Sequence, residues 1–328
     1  ILQILNLFGL FAFNLLVITI FTIPAVLFFK IRLSKKIIIF GLSIFVIFST
    51  YIYGSHTINK NLNALDNFNN KDKTFIKIIS PNFELKYNTT IVEIEKKLKK
   101  LIKYSDPDPL KKTLFIWPEG VFTGYSLNEI SQFNEIINNK FNKNHLILFG
   151  VNTLNERSGK FFNSLVIVNN KFEVLHKYNK RKLVPFGEFL PFENSLNYFG
   201  FKKITQGHVS FSRGKKQENF IFNNLNILPL ICYEIIFTEL IQTSNKETNL
   251  IINISEDGWF GDSIGPQQHF AKAIFRSIEN NSFLVRSANS GISAILNNNG
   301  QILRRLEAEE QGSIEMNIPL LKSKYKSK

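Results

Sequence analysis

The chain has 328 residues, of which 44% are hydrophobic and 13% aromatic, and its 40 Lys and Arg residues against 26 Asp and Glu give a formal net charge of +14. This composition excludes a disordered or collagen-like chain and supplies enough apolar residues for a large core. One Cys and five His residues exclude a disulfide framework and a Cys-rich zinc site.

The excess positive charge is concentrated at the two ends of the chain. Residues 1–36 hold four cations and no acid, residues 319–328 hold another four and no acid, and the remaining +6 is spread thinly between them. A nucleic-acid-binding protein needs a basic face or a basic-aromatic motif, and neither is present. We therefore expect no nucleic-acid partner.

Two uncharged apolar segments, residues 7–29 and 37–53, begin the chain. The first is long enough to cross the hydrocarbon layer as a helix, and the second is at the short end of that range. A signal peptide does not fit, because the segment lacks a basic start and a small-residue cleavage site, and a buried core helix of 23 residues is too long. We predict two transmembrane helices.

The connection between these segments, residues 30–36, carries the four cations. By the positive-inside rule it lies in the cytoplasm. The sequence thus predicts a multi-pass membrane protein with everything after residue 53 on the far side; in a Gram-negative bacterium this membrane is the inner (cytoplasmic) membrane and the far side is the periplasm. Because the sequence begins with Ile, we also expect further membrane helices before it.

After a predicted linker at residues 54–74, strand and helix patterns alternate up to residue 318, and a basic tail at residues 319–328 follows. The patterns predict strands at residues 75–79, 114–117, 146–151, 225–231, 250–254 and 283–286. They predict helices at residues 91–104, 127–138, 233–242 and 267–279. Two hairpins, one with a two-residue turn at Asn169-Asn170 and one at residues 293–306, complete a layered α/β domain.

Cys232 stands where a buried strand gives way to a helix, and this is the most informative single position. A thiolate there would lie beside helix amides that stabilise negative charge. The alternative is an ordinary core cysteine. Glu119 and Lys180 also follow strand ends, where such residues are usually solvated. His269 has no second His at ligand spacing, and we interpret it as a packing or hydrogen-bonding residue.

Eight segments of the domain form a recognisable set in chain order. They are Ile-Trp-Pro-Glu at 116–119, Tyr-Asn-Lys at 178–180, Leu-Val-Pro-Phe-Gly-Glu-Phe-Leu-Pro at 183–191, Phe-Ser-Arg-Gly at 211–214, Ile-Cys-Tyr-Glu at 231–234, Trp-Phe-Gly at 259–261, Gly-Pro-Gln-Gln-His at 265–269 and Arg-Ser-Ala-Asn-Ser-Gly at 286–291. Together they resemble the nitrilase superfamily of carbon–nitrogen hydrolases, and most closely its membrane-embedded branch, the apolipoprotein N-acyltransferases.

The resemblance implies a nitrilase-like α-β-β-α sandwich over residues 75–318 and a catalytic triad of Glu119, Lys180 and Cys232. It implies transfer of a fatty acyl chain from a phospholipid to the N-terminal diacylglyceryl-cysteine of an apolipoprotein, through a thioester on Cys232. The expected partners are that phospholipid donor, the diacylated apolipoprotein acceptor and the membrane. We expect no metal and no organic cofactor.

Further residues receive roles from the same resemblance. Glu188, Tyr233 and Glu234 are expected to support the triad, with ordinary surface carboxylates as the alternative for the two acids. Tyr87, Trp259 and Phe260 are expected to contact substrate, with a plain core role as the alternative for Trp259 and Phe260. The chain departs from the family at Glu256-Asp257-Gly258, where the family has Asn-Asp before the Trp.

Two other functions remain open from the residues. A nitrilase-like amidase acting on a small amide would explain the triad but not the two apolar helices. An inactive, membrane-tethered binding protein would explain the helices but not the presence of all three triad residues.

Overall fold

A computed structural model describes residues 1–66, 73–86, 88–192, 210–216, 219–222, 225–242 and 248–319. The helices in these ranges are α1 (Leu5–Thr22), α2 (Leu33–Asp66), α3 (Ile91–Ser105), α4 (Leu127–Ile130), α5 (Asn134–Asn138), α6 (Thr238–Gln242) and α7 (Gly265–Glu279). The strands are β1 (Lys73–Ser80), β2 (Thr113–Ile116), β3 (His145–Asn155), β4 (Lys160–Asn169), β5 (Val174–Asn179), β6 (Phe220–Phe222), β7 (Leu225–Ile231), β8 (Leu250–Glu256), β9 (Phe283–Asn289), β10 (Ser293–Leu296), β11 (Ile302–Leu306) and β12 (Gly312–Pro319).

The strands form two six-stranded sheets that stack face to face. The first sheet has the order β12-β1-β2-β3-β4-β5 and the second β11-β10-β9-β8-β7-β6. The space between them is filled by one side of each strand, for example Ile116 of β2, Ile231 of β7 and Ile254 of β8. Successive side chains along a strand point to opposite faces of the sheet, so only every second residue faces this space.

Helices cover the outer face of each sheet. α3, α4 and α5 pack on the first sheet around Trp117 and Phe149, and α6 and α7 pack on the second around Leu230 and Phe270. α3 begins at a capping box in which Thr90 and Glu93 bond each other's backbone. The four layers confirm the predicted α-β-β-α sandwich.

Two N-terminal helical segments, Leu2–Phe28 and Leu33–Leu65, are long and apolar enough to cross a membrane by length and composition. In the first, α1 continues into a 3₁₀ helix that contains Pro24. Gly9, with a φ of 74°, interrupts α1. The freed Leu10 amide donates to Glu279 Oε1 of α7 at 3.2 Å, so this break fastens α1 to the sandwich.

The second segment, α2, continues 13 residues beyond the predicted end of its span at Tyr53. The helix therefore extends into the predicted linker at residues 54–74 as far as Asp66. The extension is held by tertiary contacts, since Asn61 Nδ2 donates to Asn281 Oδ1 at 3.0 Å and to Asn299 Oδ1 at 2.6 Å. Such packing stabilises a helix whose sequence is too polar to indicate one. Residues 67–72 and 320–328, in the predicted linker and basic tail, lie outside the described residues.

Three other local predictions need correction. The turn at Asn169-Asn170 is longer than two residues, because the Asn169 side chain accepts from the amides of Lys171 and Glu173. The predicted helix at residues 127–138 is divided into α4, a 3₁₀ turn and α5. The chain after Cys232 forms a 3₁₀ helix, Cys232–Ile236, before α6. The sequence patterns also missed β6 and β12.

Candidate active site

The three predicted triad residues come from three different strand ends. Glu119 follows β2, Lys180 follows β5 and Cys232 follows β7. β2 runs parallel to β1 and β3, and β7 runs parallel to β8, so the carboxyl ends of these strands carry the side chains to one edge of the sandwich. All three residues are buried there.

Lys180 lies between two carboxylates. Its Nζ is 2.8 Å from Glu188 Oε1 and 3.4 Å from Glu119 Oε1, and its side chain is 1% exposed. Burial alone would lower the pKa of Lys180, but the charges of Glu119 and Glu188 outweigh it and raise the pKa well above its usual range. The lysine is therefore an ammonium ion throughout the neutral range.

Asn163 joins the same two carboxylates and was not singled out from the sequence. Its Nδ2 donates to Glu119 Oε1 and to Glu188 Oε1, both at 2.7 Å. Its carbonyl also accepts from the Lys180 amide at 2.8 Å. A polar residue at an inward position of β4 was the available signal, because a buried amide needs hydrogen-bond partners.

Cys232 has a left-handed backbone, with φ of 49°. Few non-glycine residues adopt this conformation, which costs on the order of 1 kcal/mol and is concentrated at functional sites. Burial and the charge of Glu119 raise the pKa of the Cys232 thiol well above its usual range, against the opposing effect of Lys180. The resting thiol is thus protonated, and its use as a nucleophile requires a base.

Glu234 connects the segment that follows Lys180 to the segment that precedes Cys232. Its carboxylate accepts from the Arg181 amide at 2.7 Å, the Ile231 amide at 2.9 Å and the Tyr178 hydroxyl at 2.9 Å. Burial raises the pKa of Glu234 against these hydrogen bonds. Glu188 is partly buried, with its side chain 14% exposed, and its Oε2 accepts from the Val184 amide at 2.9 Å. The alternative of solvated surface carboxylates is wrong for both acids.

The remaining predicted residues lie in different surroundings. Tyr233 packs against Phe237 with ring centroids 4.9 Å apart. Trp259 and Phe260 are 48% and 39% exposed, which excludes a plain core role for either. Tyr87 lies outside the described residues. A substrate role for these aromatic residues stays a prediction.

Glu256 brings a further carboxyl group close to Glu119. Its amide donates to Glu119 Oε2 at 3.1 Å, while its own carboxyl accepts from the Gly258 amide and from Asn289. Burial, together with the charges of Glu119 and Asp257, raises the pKa of Glu256 to about 8. The sequence flagged this position only as a departure from the family.

Cys232 Sγ, a carboxylate oxygen of Asp257 and a ring nitrogen of His269 lie within 4.8 Å of one another, a set that could ligate a metal ion. Asp257 is already ion-paired with Arg286 at 2.7 Å. Both ring nitrogens of His269 also have protein partners, Asp257 and the Cys232 carbonyl. The set is therefore better described as a hydrogen-bond network than as a metal centre.

Residues 87–323 match the carbon–nitrogen hydrolase family, and the chain belongs to this family. Within it, the chain is similar to proteins named apolipoprotein N-acyltransferase. It is 30% identical to that of Rickettsia typhi over 97% of its own length and 62% of the relative, and 29% identical to that of Rhodopseudomonas palustris over 97% and 61%. The chain thus spans about three fifths of the length of these two relatives.

Two solved structures share the fold. The first is XC1258 from Xanthomonas campestris, a CN-hydrolase superfamily protein, with a TM-score of 0.53 and 16% identity over 75% of this chain and 90% of that one. The second is Nit3 from Saccharomyces cerevisiae, a nitrilase superfamily member, with a TM-score of 0.54 and 16% identity over 76% and 90%. At this identity the likeness establishes the fold alone.

Proposed function

We propose that this chain carries the catalytic domain of an N-acyltransferase that moves a fatty acyl chain from a phospholipid to the N-terminal diacylglyceryl-cysteine of an apolipoprotein. The observation that carries the proposal is the buried Lys180 held between Glu119 and Glu188 at the strand edge where Cys232 lies. Similarity to apolipoprotein N-acyltransferases over nearly the whole chain supports the choice of donor and acceptor.

The first half-reaction acylates Cys232. Glu119 takes the thiol proton, and the thiolate sulfur attacks the carbonyl carbon of the phospholipid ester. Lys180 stabilises the resulting oxyanion. The carbon–oxygen bond of the ester then breaks, Glu119 returns the proton to the departing lysophospholipid oxygen, and the acyl group remains on Cys232 as a thioester.

The second half-reaction transfers the acyl group to the acceptor. The α-amino nitrogen of the diacylglyceryl-cysteine attacks the thioester carbon and loses a proton to Glu119. Collapse of the tetrahedral intermediate breaks the carbon–sulfur bond and leaves an amide. The departing Cys232 thiolate recovers the proton from Glu119, so the site returns to its starting state.

The other buried groups position this machinery. Glu188 and Asn163 hold Lys180 and Glu119 at fixed separation, and Glu234 ties the Lys180 segment to the Cys232 segment. The half-exposed rings of Trp259 and Phe260 offer an apolar surface for the acyl chain. Buried partners of this kind are what preorganises a catalytic group.

The proposed location is the bacterial inner membrane, with the sandwich on the periplasmic side. The two apolar helical segments fit the hydrocarbon layer, and the connection between them is rich in cations. α1 is fastened directly to α7 of the sandwich by Asn6 and Leu10. This attachment tethers the sandwich to the membrane helices and so keeps the domain at a lipid surface, where a phospholipid is available.

The test uses the chain in detergent micelles with a phospholipid radiolabelled in its acyl chains. We expect label on the protein that hydroxylamine releases, and loss of that label when a synthetic diacylglyceryl-cysteine peptide is added. Cys232→Ala removes the only cysteine of the chain and gives the background. Lys182→Ala, on a neighbouring lysine whose side chain is 39% exposed, is the matched control and should label normally.

Two results would overturn the proposal. Label that persists in Cys232→Ala would remove the nucleophile. Absence of label from phospholipid, together with turnover of a short aliphatic amide, would assign the site to an amidase instead.

A further inference from the structure

The backbone carbonyl of Cys232 is held by two side chains from the second sheet and its covering helix. His269 Nε2 of α7 lies 3.2 Å from this oxygen, and Asn253 Nδ2 of β8 lies 3.4 Å from it. Cys232 also has the left-handed φ of 49° described above. A non-glycine residue keeps such a conformation only where its surroundings hold it.

The other ring nitrogen of His269 contacts a buried ion pair. Nδ1 lies 3.1 Å from Arg286 Nη2 and 3.0 Å from Asp257 Oδ1. Arg286 and Asp257 are themselves paired at 2.7 Å with both side chains fully buried. The guanidinium and carboxylate are therefore fixed, and they orient the imidazole ring.

The partners of His269 determine where its hydrogen lies. A carbonyl oxygen can only accept, so Nε2 must carry a hydrogen. Nδ1 lies beside the Arg286 guanidinium, which can only donate, and the Asp257 carboxylate, which can only accept, so the Cys232 carbonyl is the contact that decides the hydrogen on Nε2. Burial and the charge of Arg286 lower the pKa of His269 against the opposing effect of Asp257, and the carbonyl contact requires a hydrogen on Nε2 whether the ring is neutral or charged.

We propose that His269 is a positioning residue for Cys232, whose carbonyl it holds through Nε2–H while Arg286 and Asp257 fix the ring from the other side. The proposal deepens the function given above, because it rests on Cys232 being the acylated nucleophile. It assigns to His269 a task in the reaction rather than packing alone.

The hydrogen bond orients a whole peptide group. The carbonyl of Cys232 and the amide of Tyr233 belong to one planar unit and point in opposite directions. Fixing the oxygen therefore fixes the direction of the Tyr233 N–H, and accepting a hydrogen bond polarises that N–H. A donor that is aimed before the reaction stabilises an oxyanion on the acyl carbon beside Sγ. Loss of the His269 contact should therefore slow acylation more than it lowers stability.

Three substitutions at His269 separate this role from packing. His269→Gln can place its amide nitrogen near the position of Nε2 and so keep a donor for the Cys232 carbonyl. His269→Asn reaches only the position of Nδ1, and His269→Phe keeps a ring without a donor. The probe is p-nitrophenyl acetate, and the measurement is the burst rate of nitrophenol release with acetyl-Cys232 verified by mass spectrometry.

We expect His269→Gln to acylate within about threefold of the wild type, and His269→Asn and His269→Phe to be slower by about tenfold or more, the effect of losing one hydrogen bond. The matched control is His145→Asn. His145 also bonds backbone through both ring nitrogens but lies at the opposite, amino end of β3. That variant should lose melting temperature without losing burst rate.

Two results would overturn the proposal, since neither follows the Nε2 donor. The first is a wild-type burst rate in all three His269 variants, and the second is the same reduction in Gln, Asn and Phe. An activated ester reports on Cys232 without requiring a phospholipid. Failure of the transferase proposal would therefore appear as missing phospholipid label with the order of burst rates unchanged.

Discussion

Lys180 and Glu188 form a 2.8 Å ion pair in which the lysine side chain is 1% exposed and the glutamate side chain 14% exposed. Glu119 completes the arrangement on the other side of the ammonium group, at 3.4 Å. A buried pair of this kind is strongly destabilising when one partner is removed, typically by about 3–5 kcal/mol, because the other charge remains desolvated. Removing Lys180 or Glu188 should therefore lower the stability of the domain as well as its activity.

Lys180→Ala should reduce the rate of acyl-enzyme formation and the rate of its aminolysis, each by on the order of a hundredfold or more, because both tetrahedral intermediates lose the same cation. Lys180→Arg keeps the charge, but its planar fork does not fit a site built around a compact ammonium, and it should fail as well. Single-turnover measurements with and without the amine acceptor check both steps. Near-normal rates for Lys180→Arg would contradict an oxyanion role.

Glu234→Gln should unfold at a lower temperature than Tyr178→Phe. The carboxylate accepts from the amides of Arg181, Lys182 and Ile231 as well as from Tyr178, and a Gln amide group would present hydrogens to at least one of these donors. An unsatisfied buried group costs about 1–3 kcal/mol, whereas Tyr178→Phe removes one donor only. Thermal melts of both variants in the same detergent make the comparison. Equal melting temperatures would show that the backbone bonds contribute nothing measurable.

Glu256 should make stability depend on pH. Because folding raises its pKa to about 8, the neutral form is favoured in the folded state, and the stabilisation present at acidic pH is lost as the pH rises towards 8. The melting temperature of the wild type should therefore fall relative to that of Glu256→Gln between pH 5 and pH 8. Above that range the difference should become constant. A difference that stays flat from pH 5 to pH 8 would contradict the raised pKa.

Cysteines introduced into the Cys232→Ala background should report the proposed topology. One at Ser34, in the first turn of α2, should react with an impermeant thiol reagent only after the membrane is opened. One at Asn63, near the end of α2, should react in intact spheroplasts. Both positions are exposed, so accessibility within the protein does not separate them. The opposite labelling pattern would invert the proposed orientation.

The parts of the structure that follow from neighbouring residues could be predicted from the sequence. Short continuous apolar runs indicated β2, β7 and β8 and put Glu119 and Cys232 at strand ends, and the family resemblance joined these two residues in one site. The helical extension of α2 could not be predicted, because its polar residues are held by Asn281 and Asn299, more than 200 positions away. Asn163, Arg286 and the His269 contact to Cys232 also depend on non-local pairings, across 44, 29 and 37 positions respectively. No local pattern signals which buried polar residue will meet which.

Because α2 is one continuous helix, its membrane segment and its far end move together. Its 34 residues correspond to about 51 Å, well beyond the roughly 30 Å of a hydrocarbon layer, and its far end is bonded to the sandwich at Asn61. One residue inserted between Tyr53 and Asn61 would turn that end by about 100° and lift it by about 1.5 Å. Under the proposed topology, a bilayer thick or thin enough to change the tilt of α2 would change the angle at which the sandwich meets the membrane surface.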